Sequence, residues 1–326
     1  MNLLIALRRL GIAALAGASM AANAQSPAST YPDRPIKFIV GFTPGGSSDI
    51  VARLVAPKLS AALGQPVVVE NRVGAGGVIA AELVAKAPPD GLTWLIVPSG
   101  HATLAAMRKT LPFDAVRDFS WISTITTYPM VIGVKPDSPY KTFSELLSTA
   151  RESVGRLSYS SLGVGTGHHL LGELLNAEAK AEMTHVPFKG SSAALIEVAS
   201  GRVDLLLETM TFALPQVQSG RIRALAVTSA KPFPLLPNVP LAKETLPGVE
   251  YESWLGIAAA PNTPRPIVER LNAELRKVLA QADVQQKLVE LGGQPTPSSP
   301  EEFRDRVQRD VAKFNSIVDG RKMERQ

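Results

Sequence analysis

The sequence predicts an α/β protein of two lobes, each a parallel sheet covered by helices, with a ligand cleft between them. Three observations carry that prediction. Short β-branched apolar runs alternate with helical repeats from "IKFIVGF" onward, and the same alternation starts afresh near "YPMVIGVKP". A Pro-rich stretch, "AKPFPLLPNVPLAKETLPGVE", then leads into one more strand, "WLGIAAAP", and two amphipathic helices. Strands separated by helices imply parallel pairing with right-handed crossovers, and two such runs imply two lobes. If the last helices pack back on the first lobe, the chain crosses between lobes twice and makes a two-strand hinge. The expected ranges are 25–124 with 255–326 for lobe 1, and 125–254 for lobe 2.

Taken in order, "IKFIVGF" is a buried strand because it is short, β-branched and aromatic. "DIVARLVAPKLSAAL" is a helix with Ile50, Leu54, Leu59 and Leu63 apolar, and Pro57 is expected to kink it. "PVVVEN", the turn "GAGG", the helix "VIAAELVAKA", the turn "PPDG" and the strand "TWLIVPS" complete the first run. The second run reads as helix "TFSELLSTARES", strand "RLSYSS", helix "HHLLGELLNAEA", strand "MTHVPF", helix "SAALIEVASG" and strands "VDLLLE" and "RIRALAVTS". The closing helices are "PIVERLNAELRKVLAQA" and "PEEFRDRVQRDVAKFNSIV".

Arg8 and Arg9 precede a run of small apolar residues that ends in Ala22-Asn23-Ala24, the form cut by signal peptidase. Residues 1–24 therefore read as a secretory signal, and about 15 apolar residues fall short of the roughly 20 needed to span a bilayer. Losing Arg8 and Arg9 with no acid lowers the formal charge from +5 to +3. That excess is too mild for a nucleic-acid partner. Cysteine is absent, so an exported chain of 326 residues must hold together through its core, without disulfides.

Two glycine-rich strand-to-helix turns stand out, one per lobe. The first is Pro44-Gly45-Gly46-Ser47-Ser48-Asp49, and the second carries Ser161, Gly163, Gly165, Thr166 and Gly167. Glycine lets backbone approach a ligand, and the unpaired N–H groups of a helix start, with about half a positive charge, attract an anion. Open α/β sheets bind ligands at the carboxyl ends of their strands, so two such turns facing one cleft would grip an anion from both sides. A third turn offers Lys189, Gly190, Ser191 and Ser192, and "NRVGAGGVIAAE" a fourth. Each turn alone reads first as ordinary helix capping, and it is the pair at 44–49 and 161–167 together that points to a ligand.

Rival chemistries find little. There is no G-x-x-x-x-G-K-[ST], and "GVGTGH" places His168 where a dinucleotide fingerprint needs its third glycine. The four histidines are His101, His168, His169 and His185, and no H-E-x-x-H is present. Neighbours on a helix point about 100° apart, so His168 and His169 cannot chelate one metal. No G-x-S-x-G elbow surrounds Ser47, Ser48, Ser160 or Ser161. No cofactor is expected. Asp204 reads either as a polar contact at the cleft or as a solvent-facing strand start, and Phe42, Phe188 and Trp254 as pocket lining or core.

With these turns assembled, the sequence resembles the Bug family of periplasmic solute receptors, the binding component of tripartite tricarboxylate transporters. The resemblance is carried by "YPDRPIKFIV", "PGGSSDIVARL", "LGQPVVVENRVGAGGVIAAELVAKAPPDG", "LPFDAVRDFSWI", "YSSLGVGTGHHLLGELL", "HVPFKGSSAAL", "SGRVDLLLE", "GRIRALAVTS" and "APNTP", over essentially all of the chain after the signal. It implies a type II periplasmic-binding fold that closes over a ligand without altering it. It further implies that a ligand carboxylate is held by backbone N–H and small hydroxyl groups, with water helping. By position these belong to Gly45, Gly46, Ser47, Ser48 and Asp49, and to Ser161, Gly163, Gly165, Thr166 and His169. Lys189, Gly190 and Ser191 are weaker carry-overs. The sequence departs from the family pattern at Gly41 and at Glu208, the latter often an aspartate or asparagine, which bears on ligand identity more than on ligand class.

The expectation is an exported, periplasmic, monomeric receptor that passes a small organic carboxylate to membrane subunits. The alternative is an exported esterase or isomerase acting on a carboxylic acid, and a chemosensory receptor on the same fold is a third reading.

Overall fold

The computed structural model describes residues 31–325, so the signal expected at 1–24 lies outside the described residues. The first run forms β1 (Ile36–Val40), α1 (Ser47–Leu63), β2 (Val67–Asn71), a single 3₁₀ turn at Ala75–Gly77, α2 (Val78–Ala85), β3 (Thr93–Pro98) and α3 (Gly100–Met107). Next come β4 (Ser120–Val134), α4 (Phe143–Glu152), β5 (Ser158–Ser161), α5 (Gly167–Ala179), β6 (Thr184–Pro187), α6 (Ser191–Ala199), β7 (Leu206–Thr209), α7 (Met210–Gln218), β8 (Arg223–Val227) and α8 (Ala242–Thr245). The chain closes with β9 (Glu252–Ala259), α9 (Arg265–Leu279), α10 (Ala282–Glu290), β10 (Gln294–Pro295) and α11 (Pro300–Gly320). No helix among the described residues is long and apolar enough to cross a membrane.

The first sheet runs β2-β1-β3-β9-β4, with β10 on the far edge of β4. Strands β1, β2 and β3 are parallel, and β9 is antiparallel to both its neighbours. The second sheet repeats the plan as β6-β5-β7-β4-β8. Here β5 pairs with β6 in parallel, an isolated Tyr159↔Leu205 bridge joins β5 to the start of β7, and β4 is antiparallel to β7 and β8. In each lobe the strand arriving from the other, β9 in the first and β4 in the second, runs against the parallel strands, as does the short β10, which makes both sheets mixed where the sequence reading had them purely parallel.

The two lobes share β4. Its first part, to Pro129, pairs with β9, and from Met130 to Val134 it pairs with β7 and β8. Beside it the chain returns through Tyr251 into β9. Thr228 ties the crossings together: its Oγ1 accepts from the Met130 N–H at 2.8 Å and donates to the Tyr251 carbonyl at 2.5 Å. These two neighbouring crossings are the two-strand hinge.

Core packing follows the sheets. Helix α1 buries Val51, Val55 and Leu59 against Ile36, Phe38 and Trp94, each such side chain contributing about 1.5–3 kcal/mol on leaving water. The helix runs from Ser47 to Leu63 through Pro57, so the proline does not end it. The last helix was expected to belong to lobe 1 alone. Its first half does, with Phe303 edge-on to Trp121 and Trp254, whereas Phe314 and Val318 enter the second lobe's core beside Tyr251. Trp254 is therefore core, with its indole N–H on Asp310 at 2.7 Å, and does not line the cleft.

Candidate functional site

Five strands end where the lobes meet, and each hands over to a helix there. Gly46, Ser47 and Ser48 open α1, Ser99 and Gly100 open α3, Thr166 and Gly167 open α5, Ser191 opens α6, and Thr209 precedes α7. All of these residues line one cavity, together with Phe42, Thr43, Pro98, Tyr128, Met130, Leu162, His168, Glu208 and Ser253. The turns at 44–49 and 161–167 thus face one small, common cavity of about 40 Å³ between the lobes. The first N–H groups of each helix have no preceding carbonyl to bond, and each start carries about half a positive charge. Among the described residues no lysine or arginine lines this cavity. An anion here would be held by N–H groups and helix ends, without an ion pair.

The first turn is fixed from behind. Asp49 is buried and points away from the cavity, accepting from the Gly45 N–H at 2.9 Å, Arg53 Nε at 2.9 Å and Asn71 Nδ2 at 2.9 Å. Burial pushes its carboxyl up, but Arg53, Gly45 and Asn71 more than offset this and hold it below the ordinary value. Gly45 has φ +81, a conformation that favours glycine. Gly45 and Asp49, expected to touch ligand, shape the turn instead.

The second turn is arranged in the same way. Ser161 Oγ contacts His185 Nε2 at 2.5 Å and accepts from the Gly163 N–H at 3.1 Å, and neither it nor His169 lines the cavity. His169 accepts from the Gly165 N–H through Nδ1 at 3.2 Å and stacks on His185 with ring centroids 4.0 Å apart. Burial, and then the neighbouring His185, bring His169 down to about 3, so it is neutral. The imidazole that reaches the cavity is His168. Successive helical residues point about 100° apart, and the phase of α5 turns His168 inward.

Of the remaining expected residues, Gly163 and Lys189 line an outer pocket with Phe42, Phe188, Arg108 and the 73–76 loop. Gly165 packs on Leu104 of α3. Gly190 lies against Thr43 of the other lobe, and Ser191 lies in the cavity wall. Asp204 is misplaced by the cleft reading. It accepts from the N–H and the hydroxyl of Ser158 at 2.8 and 2.9 Å, at the start of β5, three residues from the end that faces the cavity. It ties the starts of β5 and β7 together, at the end of the sheet away from the cavity.

The sequence reading missed Ser99, Gly100 and Thr209, passed over His168 for His169, and noted Glu208 as bearing on ligand identity without placing it at the site. A small hydroxyl residue at the end of an apolar strand signals a helix cap, and both Ser99 and Thr209 fit that pattern. Glu208 has no exposed surface. Its Oε1 accepts from the Thr209 N–H at 2.8 Å, Thr209 Oγ1 at 2.9 Å and His168 Nε2 at 3.1 Å. Burial pushes this carboxyl up, while His168 and Thr209 bring it back below its ordinary value. Thr209 Oγ1 also contacts Ser47 Oγ across the lobes. With the Thr209 proton given to Glu208, Ser47 must be the donor in that contact.

Two α/β lobes joined by two strands, with helix starts from both converging on one cavity, define a solute-binding receptor of the periplasmic-binding type. The profile of the tripartite tricarboxylate transporter family receptor matches residues 51–323, and the chain belongs to that family, whose members are receptors and not enzymes. It is 40% identical over 310 residues to the "UPF0065 protein in tcbD-tcbE intergenic region" of Pseudomonas sp. (strain P51), covering 93% of this chain and 92% of the relative. It superposes on the periplasmic binding protein BugD with a TM-score of 0.87 at 32% identity, covering 91% of this chain and all of that one. MatC from Rhodopseudomonas palustris, solved with bound malate, gives 0.85 at 32% identity, covering 88% of this chain and all of that one. The Bug resemblance and the two-lobed fold expected from sequence are thereby borne out.

Proposed function

We propose that this chain captures a small organic carboxylate between its lobes in the periplasm, after export by the segment 1–24, and delivers it to the membrane subunits of a tripartite transporter. The observation that carries this reading is the convergence of the 44–49 and 161–167 turns on one cavity whose walls offer unpaired N–H groups and no cationic side chain among the described residues. Such walls hold a carboxylate by oriented dipoles, and a ligand bridging both lobes favours the closed form by its differential affinity. The structure of MatC with malate supports the same ligand class. The Ser47 and Ser48 N–H groups from α1 and the Gly167 and His168 N–H groups from α5 are the donors assigned to the ligand.

The test is a thermal-shift screen of the protein lacking residues 1–24 against dicarboxylates, tricarboxylates, amino acids and aromatic acids, with calorimetry on the hits. At least one acid is expected to raise the melting temperature and to be recovered unchanged. Its amide or ester is expected to bind far more weakly, and equal affinity for the neutral analogue would overturn the proposal.

A further inference from the structure

Glu208 is the only acidic side chain lining the inner cavity among the described residues, and it is half satisfied. Three donors crowd onto Oε1, whereas Oε2 has none. Two other polar atoms on the same wall are also buried without a partner, Ser191 Oγ and His168 Nδ1. The Ser191 hydroxyl lies close enough to help keep the Glu208 carboxyl ionised, yet it makes no hydrogen bond of good geometry. A buried acceptor without a donor costs free energy that a partner entering the cavity would recover.

The chemistry of that partner is restricted. A second carboxylate would meet Glu208 charge to charge, and a methylene would leave Oε2 unpaired. A hydroxyl satisfies the wall by donating to Oε2 and accepting from Ser191. An ammonium does so by donating to Oε2 and to Ser191 Oγ, and it also sets a positive charge against the carboxylate. We propose that Glu208, Ser191 and His168 form a subsite that selects carboxylates bearing a hydrogen-bond donor, a hydroxyl or an ammonium, beside the carboxyl group. The subsite rests on the carboxylate reading above and narrows it: the helix starts take the carboxylate, and Glu208 takes the donor.

Two matched series test this by calorimetry: succinate, malate and aspartate, then propionate, lactate and alanine. Within each series only the group beside the carboxyl changes. The wild-type protein is expected to prefer a donor-bearing member by about tenfold or more, because a site built around a hydrogen bond rejects the analogue lacking it. Malate and lactate leading identifies a hydroxyl subsite, and aspartate and alanine leading an ammonium subsite. Glu208→Gln, nearly isosteric, is expected to erase that preference, read as the ratio of affinities within each series and not as the affinity for succinate or propionate alone. Ser191→Ala, which leaves the buried carboxylate in place, is expected to reduce the preference without removing it, and serves if Glu208→Gln fails to fold. Equal affinities within both wild-type series, or a preference that both variants keep, overturn the subsite and leave the carboxylate reading standing. If no acid from these series or from the wider screen binds, both fall together.

Discussion

Gly190 shows how one missing side chain sets the distance between the lobes. Its backbone is extended (φ 175), a conformation open to any residue, so strain is not the reason for glycine there. A Cβ added at this position would stand 1.8 Å from Thr43 Oγ1, 2.9 Å from Thr43 Cβ and 3.1 Å from Thr43 Cγ2. Rotating Thr43 about χ1 cannot clear all three atoms. Thr43 belongs to the first lobe and Gly190 to the second, so the clash opposes closure and not the folding of either lobe. Gly190→Ala is therefore expected to weaken carboxylate binding by about tenfold or more, as overpacking of a tight contact costs roughly 1–3 kcal/mol. The melting temperature without ligand should stay within a few degrees, and Thr43→Gly in the same chain should restore much of the affinity. Titration calorimetry on the three proteins decides it, and undiminished binding by Gly190→Ala would mean that this contact is absent from the liganded form.

At the level of elements, the sequence is most legible where periodicity and glycine coincide. Strand β1, helix α1 and the 161–167 turn could be read directly, because apolar runs there stop at Gly-Gly-Ser-Ser or Gly-x-Gly-Thr. Helices α3 and α7 could not. Six of the eight residues of α3 are buried, and α7 opens with five buried residues and contains Pro215, so neither shows the polar face that marks an amphipathic helix. The first part of β4 was hidden for the opposite reason. Ser123, Thr124, Thr126 and Thr127 lack the apolar run that marks a strand, yet they are buried, and Ser123 and Thr124 hydrogen-bond the 296–298 segment. Missing α3 and α7 meant missing Ser99, Gly100 and Thr209 at the site. His168 was passed over for His169 because the rotational phase of a helix is not written in a pair of adjacent histidines.

Helix α3 also carries a pH dependence. His101, in its first turn, is buried, with its ring stacked on Phe113 at 5.6 Å, edge-on to Phe119 at 4.9 Å, and Nε2 on the Ala115 carbonyl at 2.8 Å. Burial lowers it to about 4, against a gain from the Ala115 bond. The folded form therefore binds this proton more weakly than the unfolded form, whose histidine titrates near 6.5. Above pH 6.5 neither form is protonated and the group has no effect. Below it the unfolded chain gains a proton first, and stability falls by up to about 1.4 kcal/mol per pH unit until about pH 4. Burial likewise lowers His185 to about 4, so it adds to the same window. Urea unfolding is expected to show a plateau above pH 7 and a decline from 6.5 to 4. His101→Gln should unfold more easily at pH 7, because it disturbs the aromatic cluster, yet show a shallower decline. A slope identical to wild type would remove His101 from the account.

For the whole molecule the question is what holds two lobes closed across a hinge only two strands wide. Ser47 of the first lobe donates to Thr209 of the second, and the Thr209 hydroxyl in turn donates a hydrogen bond to buried Glu208. Nearby, Gly76 of the first lobe comes so near Gly163 and Val164 of the second that a Cβ on Gly76 would lie 3.1 Å from the Val164 carbonyl. These contacts are small, and they orient closure without replacing a ligand. Binding to the closed form should therefore appear as stabilisation that grows with ligand, about 2.7 kcal/mol at a hundredfold excess over Kd. Small-angle scattering should show a more compact particle with ligand than without. Ser47→Ala removes one neutral hydrogen bond between lobes, worth about 0.5–1.5 kcal/mol, so it should weaken every carboxylate by roughly two- to tenfold regardless of its other groups. That uniform loss separates closure from recognition, since Glu208→Gln is expected to change the ratio of affinities between ligands with and without a donor. If Ser47→Ala leaves all affinities and the scattering profile as they were, the hydroxyl contact plays no part in the closed, liganded receptor.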